Sequence, residues 1–203
     1  MKEETNVVNL RGRIENSLEF SHEIYGEKFY TTNIQVDRLS DSKDNLPITI
    51  SERLLEDIDL NEDNIFNVCG QLRSYNKVVD DRNRLVLTVF IRELSLTDEK
   101  DKNDPNNIFL DGFICKNPVY RQTPLGREIT DLLVAINRPY NKSDYIPCIV
   151  WGRNAKFTKN LEIGDKVQLW GRIQSREYDK RLDSGEVIKK VAYEVSISKI
   201  KKD

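Results

Sequence analysis

Histidine is nearly absent: His22 is the single one in 203 residues. That excludes His-rich metal sites and leaves little room for a nucleophilic triad, since both rest on imidazole. Cysteine is scarce as well. Cys69, Cys115 and Cys148 are odd in number, show no CxxC spacing and lie in strand-like apolar runs, so they are expected as buried reduced thiols. No stretch approaches the roughly 20 apolar residues of a membrane span. The start, MKEETNVV, has no apolar signal region, so the chain is expected in the cytoplasm. There is no Gly-rich phosphate loop, no HExxH, and no carboxylate pair with an acid or base role. Catalytic residues, metal ligands and cofactors are therefore not expected, and the chain does not read as an enzyme.

What is there begins with charge. The net value of −2 hides a split: residues 1–100 hold 13 Lys+Arg and 20 Asp+Glu, whereas residues 101–203 hold 19 and 14. A basic half on an acidic chain points to a polyanionic partner for that half.

The chain also matches itself. Leu10, Gly12 and Ile14 recur as Leu110, Gly112 and Ile114, and Gly26, Arg38 and Pro47 recur as Gly126, Arg138 and Pro147. Later the offset grows by one, pairing Gly70 with Gly171 and Ser74 with Ser175. Two tandem domains, 1–97 and 108–203, are expected around a polar linker at 98–107, where the sequence reads DEKDKNDPNN.

Each copy reads as strands with one short helix. Val7 to Ile14, Phe29 to Val36, Pro47 to Ile50, Asn64 to Tyr75 and Leu85 to Leu94 alternate or are rich in β-branched residues. SERLLEDIDL lies between the third and fourth, with Ser51 as a helix N-cap and Leu54, Leu55 and Ile58 on one face. The second copy repeats this with strands at Asn107 to Ile114, Ile129 to Ile136, Tyr145 to Trp151, Lys166 to Arg176 and Lys189 to Ile200, and a helix near Ala155 to Leu161. Five strands with a helix between the third and fourth follow the order of an OB-fold, a five-stranded Greek-key barrel that binds oligonucleotides and oligosaccharides. The fold class is thus all-β, two tandem OB-folds. Gly12 and Gly112 fit the kinks that let strands wrap a small barrel, and Gly26 and Gly126 fit hairpin turns.

The second copy interleaves aromatic and basic residues: RPYNKSDYIPCIVWGRNAK, then GRIQSREYDKR. Aromatic faces stack on any base and cations follow the phosphates, which is what sequence-tolerant binding of a single strand requires. Alternation along Tyr145 to Trp151 puts Ile146, Cys148 and Val150 on a core face, and Tyr145, Pro147, Ile149 and Trp151 on the other. Tyr140 follows Pro139 in a loop, and Tyr178 opens a charged hairpin.

The pieces PVYRQTPLG, LLVAINRPY, DYIPCIVWGRNAK and GRIQSREY together resemble the bacterial single-stranded DNA-binding proteins, over about residues 107–200. The resemblance implies an OB-fold that binds single-stranded DNA in replication, repair or recombination, in the cytoplasm at the nucleoid. It implies base stacking by Tyr140, Tyr145, Trp151 and Tyr178, and phosphate contacts by Arg121, Arg153 and Arg176. Charge and proximity in sequence add Lys156, Arg172 and Lys180. Such proteins usually assemble four barrels, so two chains with two barrels each would supply the same number, or one chain would act as a pseudo-dimer. They also usually end in an acidic tail, whereas this sequence stops at KIKKD.

In the first copy, the four stacking positions carry Ser40, Asn45, Ser51 and Lys77. Ser21 and Tyr75 replace Arg121 and Arg176, and only Arg153 keeps a basic counterpart, Arg53. The first copy is therefore expected to bind DNA poorly and to pack against the second copy, against another chain, or against a replication protein. Its aromatics Tyr25, Phe29, Tyr30, Phe66 and Phe90 are expected in the core. The alternative function is a primosome or replisome interaction factor that uses OB-folds as a scaffold.

Overall fold

The computed structural model describes residues 4–38, 40, 42–56, 58–61, 63–79, 82–97, 104–181 and 185–203. Its first half contains β1 (Asn6–Ile14), β2 (Glu19–Ile24), β3 (Glu27–Asp37), β4 (Lys43–Ser51), β5 (Ile65–Val79) and β6 (Arg82–Thr97). The second contains β7 (Asn106–Ile114), β8 (Val119–Gln122), β9 (Glu128–Arg138), β10 (Lys142–Trp151), the helix α1 (Gly152–Thr158), β11 (Lys166–Arg181) and β12 (Val187–Lys202). Positions 98–103 of the expected linker lie outside the described residues, and Asn106 and Asn107 open β7 rather than belonging to a linker.

Strand periodicity explains the barrels. Val8, Leu10 and Ile14 on β1 and Ile34 and Val36 on β3 alternate inward and are buried. β1 pairs with both β3 and β5, β3 with β4, β4 in parallel with β6, and β6 with β5. This closed five-strand circuit is the OB-fold, and β7, β9, β10, β12 and β11 repeat it. The crossing of β1 over β3 requires glycine. A Cβ on Gly12 would sit 2.2 Å from the Gln35 carbonyl oxygen, and one on Gly112 2.4 Å from that of Ala135.

Two strands were not visible in the sequence. β2 is exposed at every position, and β8 at all but one, which is half-buried. With neither face buried they carry no alternation to read. They form the two outer edges of one twelve-stranded sheet. The helix of the first copy is also shorter than expected. Ser51 does cap a turn, its hydroxyl accepting the Arg53 N–H at 3.2 Å, but only a 3₁₀ turn forms at Glu52–Leu54. Leu54, Leu55, Ile58 and Leu60 still pack against the core, so the apolar spacing reports burial here and not helix. Of the cysteines, Cys148 is buried and its thiol is pushed up by burial, whereas Cys69 and Cys115 are only partly covered.

The halves join through β1 and β7, which run antiparallel with Val8 opposite Ile108. Two buried carboxylates reinforce the join, each reaching across to the other half. Asp44 accepts the Ser175 N–H at 2.8 Å and pairs with Arg38 at 2.5 Å, and Arg38 also donates to the Ser175 carbonyl at 3.0 Å. Asp144 accepts the Ser74 N–H at 2.8 Å and pairs with Arg73 at 3.1 Å and Arg138 at 3.3 Å. The repeats thus exchange equivalent contacts, so the chain is an internal pseudo-dimer.

Candidate nucleic-acid interface

Strand geometry carries several of the expected residues to one outer surface. On β11, Val167, Leu169 and Ile173 are buried, so Trp170, Arg172, Gln174, Arg176, Tyr178 and Lys180 share the opposite face. Arg176 and Tyr178 touch across that face, guanidinium carbon to ring centroid at 5.8 Å. β12 lies between β11 and β10, and the Trp151 indole N–H donates to Ser196 Oγ at 3.2 Å, with Ser196 opposite Arg172. Tyr145 lies six residues before Trp151 on β10, roughly 20 Å away at strand rise. Its backbone N–H is held by Ser74 of the first half at 2.7 Å.

Tyr140 is 94% exposed in the β9–β10 turn at φ +62°, and Tyr145, Trp151 and Tyr178 are between 37% and 47% exposed. All four aromatics therefore present ring surface to solvent. Ile149, expected beside Tyr145 and Trp151 on the outer face, is buried instead, flanked by Asp131 on β9 and Ser196 on β12.

The cations divide differently. Arg121 on β8 lies opposite Ile129, which in turn lies opposite Trp151, so it shares their row. It forms a double hydrogen bond with Asp131, at 2.7 and 3.2 Å. That bonding is the main reason its pKa is raised, and the charges of Asp131 and Glu194 add to it. Arg176 pairs with Glu194 at 3.6 Å, and Gln174 donates to the same carboxylate at 2.8 Å. Lys156 and Arg153 lie on α1, which follows Trp151 directly, and Lys156 pairs at 3.1 Å with Glu128, the neighbour of Ile129 on β9. Arg172 and Lys180 are half-exposed on β11.

The first half's matching face is not bare. Its four stacking positions are non-aromatic as read, yet aromatic rings arrive from neighbouring strands. Phe90 on β6 occupies the place of Ser196, opposite Thr49 and so two residues along β4 from Ser51, which replaces Trp151. Tyr75 and Lys77 on β5 reverse the order of Arg176 and Tyr178 on β11. His22 on β2 stacks on Phe29 with centroids at 4.9 Å and planes within 8°. Phe20, His22, Tyr75 and Phe90, together with Arg73, Lys77 and Arg138, line a groove of about 710 Å³. Arg73 and Arg138 share the single Asp144 carboxylate. Of the aromatics expected in the core, Phe29 and Phe66 are buried, Tyr30 and Phe90 are half-buried, and Tyr25 is fully exposed at a hairpin tip.

Comparison with known proteins bears on the second half most directly. Residues 105–202 match the single-strand binding protein family. Among relatives, the single-stranded DNA-binding protein of Halalkalibacterium halodurans is 35% identical over 81 residues, which is 36% of this chain and 48% of that one. That of Clostridium tetani is 34% identical over 83 residues, 37% of this chain and 57% of that one. The chain thus spans about half the length of the curated relatives it matches. The wild-type single-stranded DNA binding protein from Thermus aquaticus superposes on 98% of this chain and 92% of its own, with TM-score 0.72 and 16% identity, so the whole two-barrel fold is shared.

Proposed function

Because residues 105–202 match the single-strand binding protein family, we propose that this chain binds single-stranded DNA with little sequence preference. The observation that carries the reading is the run of exposed rings on one sheet face, Tyr145, Trp151 and Tyr178, beside Arg121, Arg172 and Arg176. Bases stack on the rings, whatever their identity, and the guanidiniums meet phosphates. Tyr140, Arg153, Lys156 and Lys180 extend the contact at its ends. The chemistry suits a role in replication, repair or recombination, with the protein in the cytoplasm beside the nucleoid. Two chains would bring four barrels to one strand, and light scattering with and without an oligonucleotide measures that stoichiometry.

Titration with a dT oligomer at two salt concentrations tests the reading through Trp fluorescence. Quenching is expected, with affinity falling as salt rises by about 0.7 in log–log slope for each phosphate neutralised. No quenching, or binding indifferent to salt, overturns it.

The aromatic groove on the first half supports extending the same reading to residues 1–97. Tyr75→Ala is then expected to weaken binding by about 1 kcal/mol, the low end for one stacked base. The alternative is that this face receives a replication protein. It is favoured by the exposed edge strand β2, where Phe20 is 61% exposed, and predicts unchanged DNA affinity in Tyr75→Ala.

A further inference from the structure

The two binding faces differ in a way that net charge conceals. Asp131 on β9 and Glu194 on β12 sit among the second half's stacking and basic residues, each hydrogen-bonded within that face: Asp131 to Arg121, Glu194 to Gln174. The sheet register gives their counterparts. Asp131 lies opposite Ile149, and Thr31 lies opposite Thr49. Glu194 precedes Val195, the partner of Cys148, just as Thr88 precedes Val89, the partner of Ile48. Both carboxylates are therefore threonines in the first half. Gln174 also stands where that half has Arg73, a second guanidinium on the Asp144 carboxylate. At these three places the acidic half carries the more positive face, opposite to the distribution of charge along the chain.

Resting on the reading of the second half as a single-strand binding face, we propose that Asp131 and Glu194 attenuate its affinity by occupying its arginines. A phosphate arriving at Arg121 must displace Asp131 and then lie beside the released carboxylate. Arg176 is tethered less closely by Glu194, whose side chain is 14% exposed and is also held by Gln174. The second face thus binds a strand reversibly and releases it readily, while the first face carries Thr31 and Thr88 at those two places and, on β2 opposite Thr31, Glu19.

Asp131→Asn and Glu194→Gln keep the shape of each side chain and remove one negative charge. Each is expected to tighten binding of a dT oligomer about threefold to tenfold, the scale of one like-charge repulsion near a phosphate. The log–log salt slope should steepen by up to about 0.7 for the arginine released. Glu162→Gln, an equal charge change at an exposed loop position before β11, controls for net charge and is expected to change affinity less than about twofold. Thr31→Asp, placing a carboxylate on the other face, is expected to weaken binding. Misfolding cannot imitate a gain in affinity, so the gains are diagnostic. Unchanged or weaker binding by both neutral variants, with wild type binding normally, overturns the proposal and makes these carboxylates simple holders of the arginines. A gain equal to that of Glu162→Gln overturns it too. Absence of binding by wild type and variants alike refutes the underlying function and this inference with it.

Discussion

Asp144→Ala is expected to lose about 3 kcal/mol of stability, read as a fall in melting temperature of about 6–12 °C. Asp144 is fully buried, and its carboxylate receives the Ser74 N–H and faces Arg73 and Arg138. Truncation leaves the Ser74 N–H without its acceptor and two guanidiniums facing each other with no counter-charge. Arg73 and Arg138 are 22% and 29% exposed, so water relieves part of the repulsion, which is why the low end of the range for a broken buried pair applies. Asp37→Ala supplies the contrast. Its ion pair with Lys43 spans 3.9 Å between side chains that are 63% and 50% exposed, and its loss is expected to cost less than about 1 kcal/mol. Equal melting temperatures for the two variants would show that the cross-half carboxylates do not hold the pseudo-dimer together. The same substitution reaches the proposed binding face, because Ser74 also holds the Tyr145 N–H.

That lock marks where sequence reading stopped. The repeat of Arg38 as Arg138 and of Ser74 as Ser175 was visible, and Asp44 and Asp144 recur at the same offset. A charge repeated between otherwise apolar and glycine matches is a signal that it is buried and partnered. What a single chain cannot display is that each Asp serves the other copy. The barrel strands were legible because one face of each is buried, which writes a period of two into the sequence. β2 and β8 bury neither face and left no such trace.

The rings on the first half's outer face escaped the sequence comparison for a different reason. Comparison at a fixed offset asks whether the same strand position carries the same ring. A sheet face is assembled from several strands, so a ring lost from β4 at Ser51 can be replaced from β6 by Phe90 without altering the surface much. Likewise, exchanging the order of Arg176 and Tyr178 into Tyr75 and Lys77 preserves one ring and one cation on adjacent outward positions. Register, which pairs residues far apart in sequence, is the information that restores these equivalences.

Trp151→Ala is expected to weaken single-strand binding by about 1–3 kcal/mol, or about fivefold to 150-fold in dissociation constant, measured by titration of a dT oligomer. Three observations converge on this ring. It is exposed on the outer face, it is oriented by its indole N–H bond to Ser196, and it shares a row with Arg121. Trp151→Phe should recover most of the loss, since stacking needs the π face and not the N–H. Ser51→Ala, at the matching place in the first half, should leave affinity unchanged, although loss of its helix-turn cap costs about 1 kcal/mol of stability. If Trp151→Ala and Ser51→Ala weaken binding equally, the loss comes from the fold and not from stacking. If Trp151→Phe binds as poorly as Trp151→Ala, the hydrogen bond to Ser196 governs the site and the stacking platform lies elsewhere on the face.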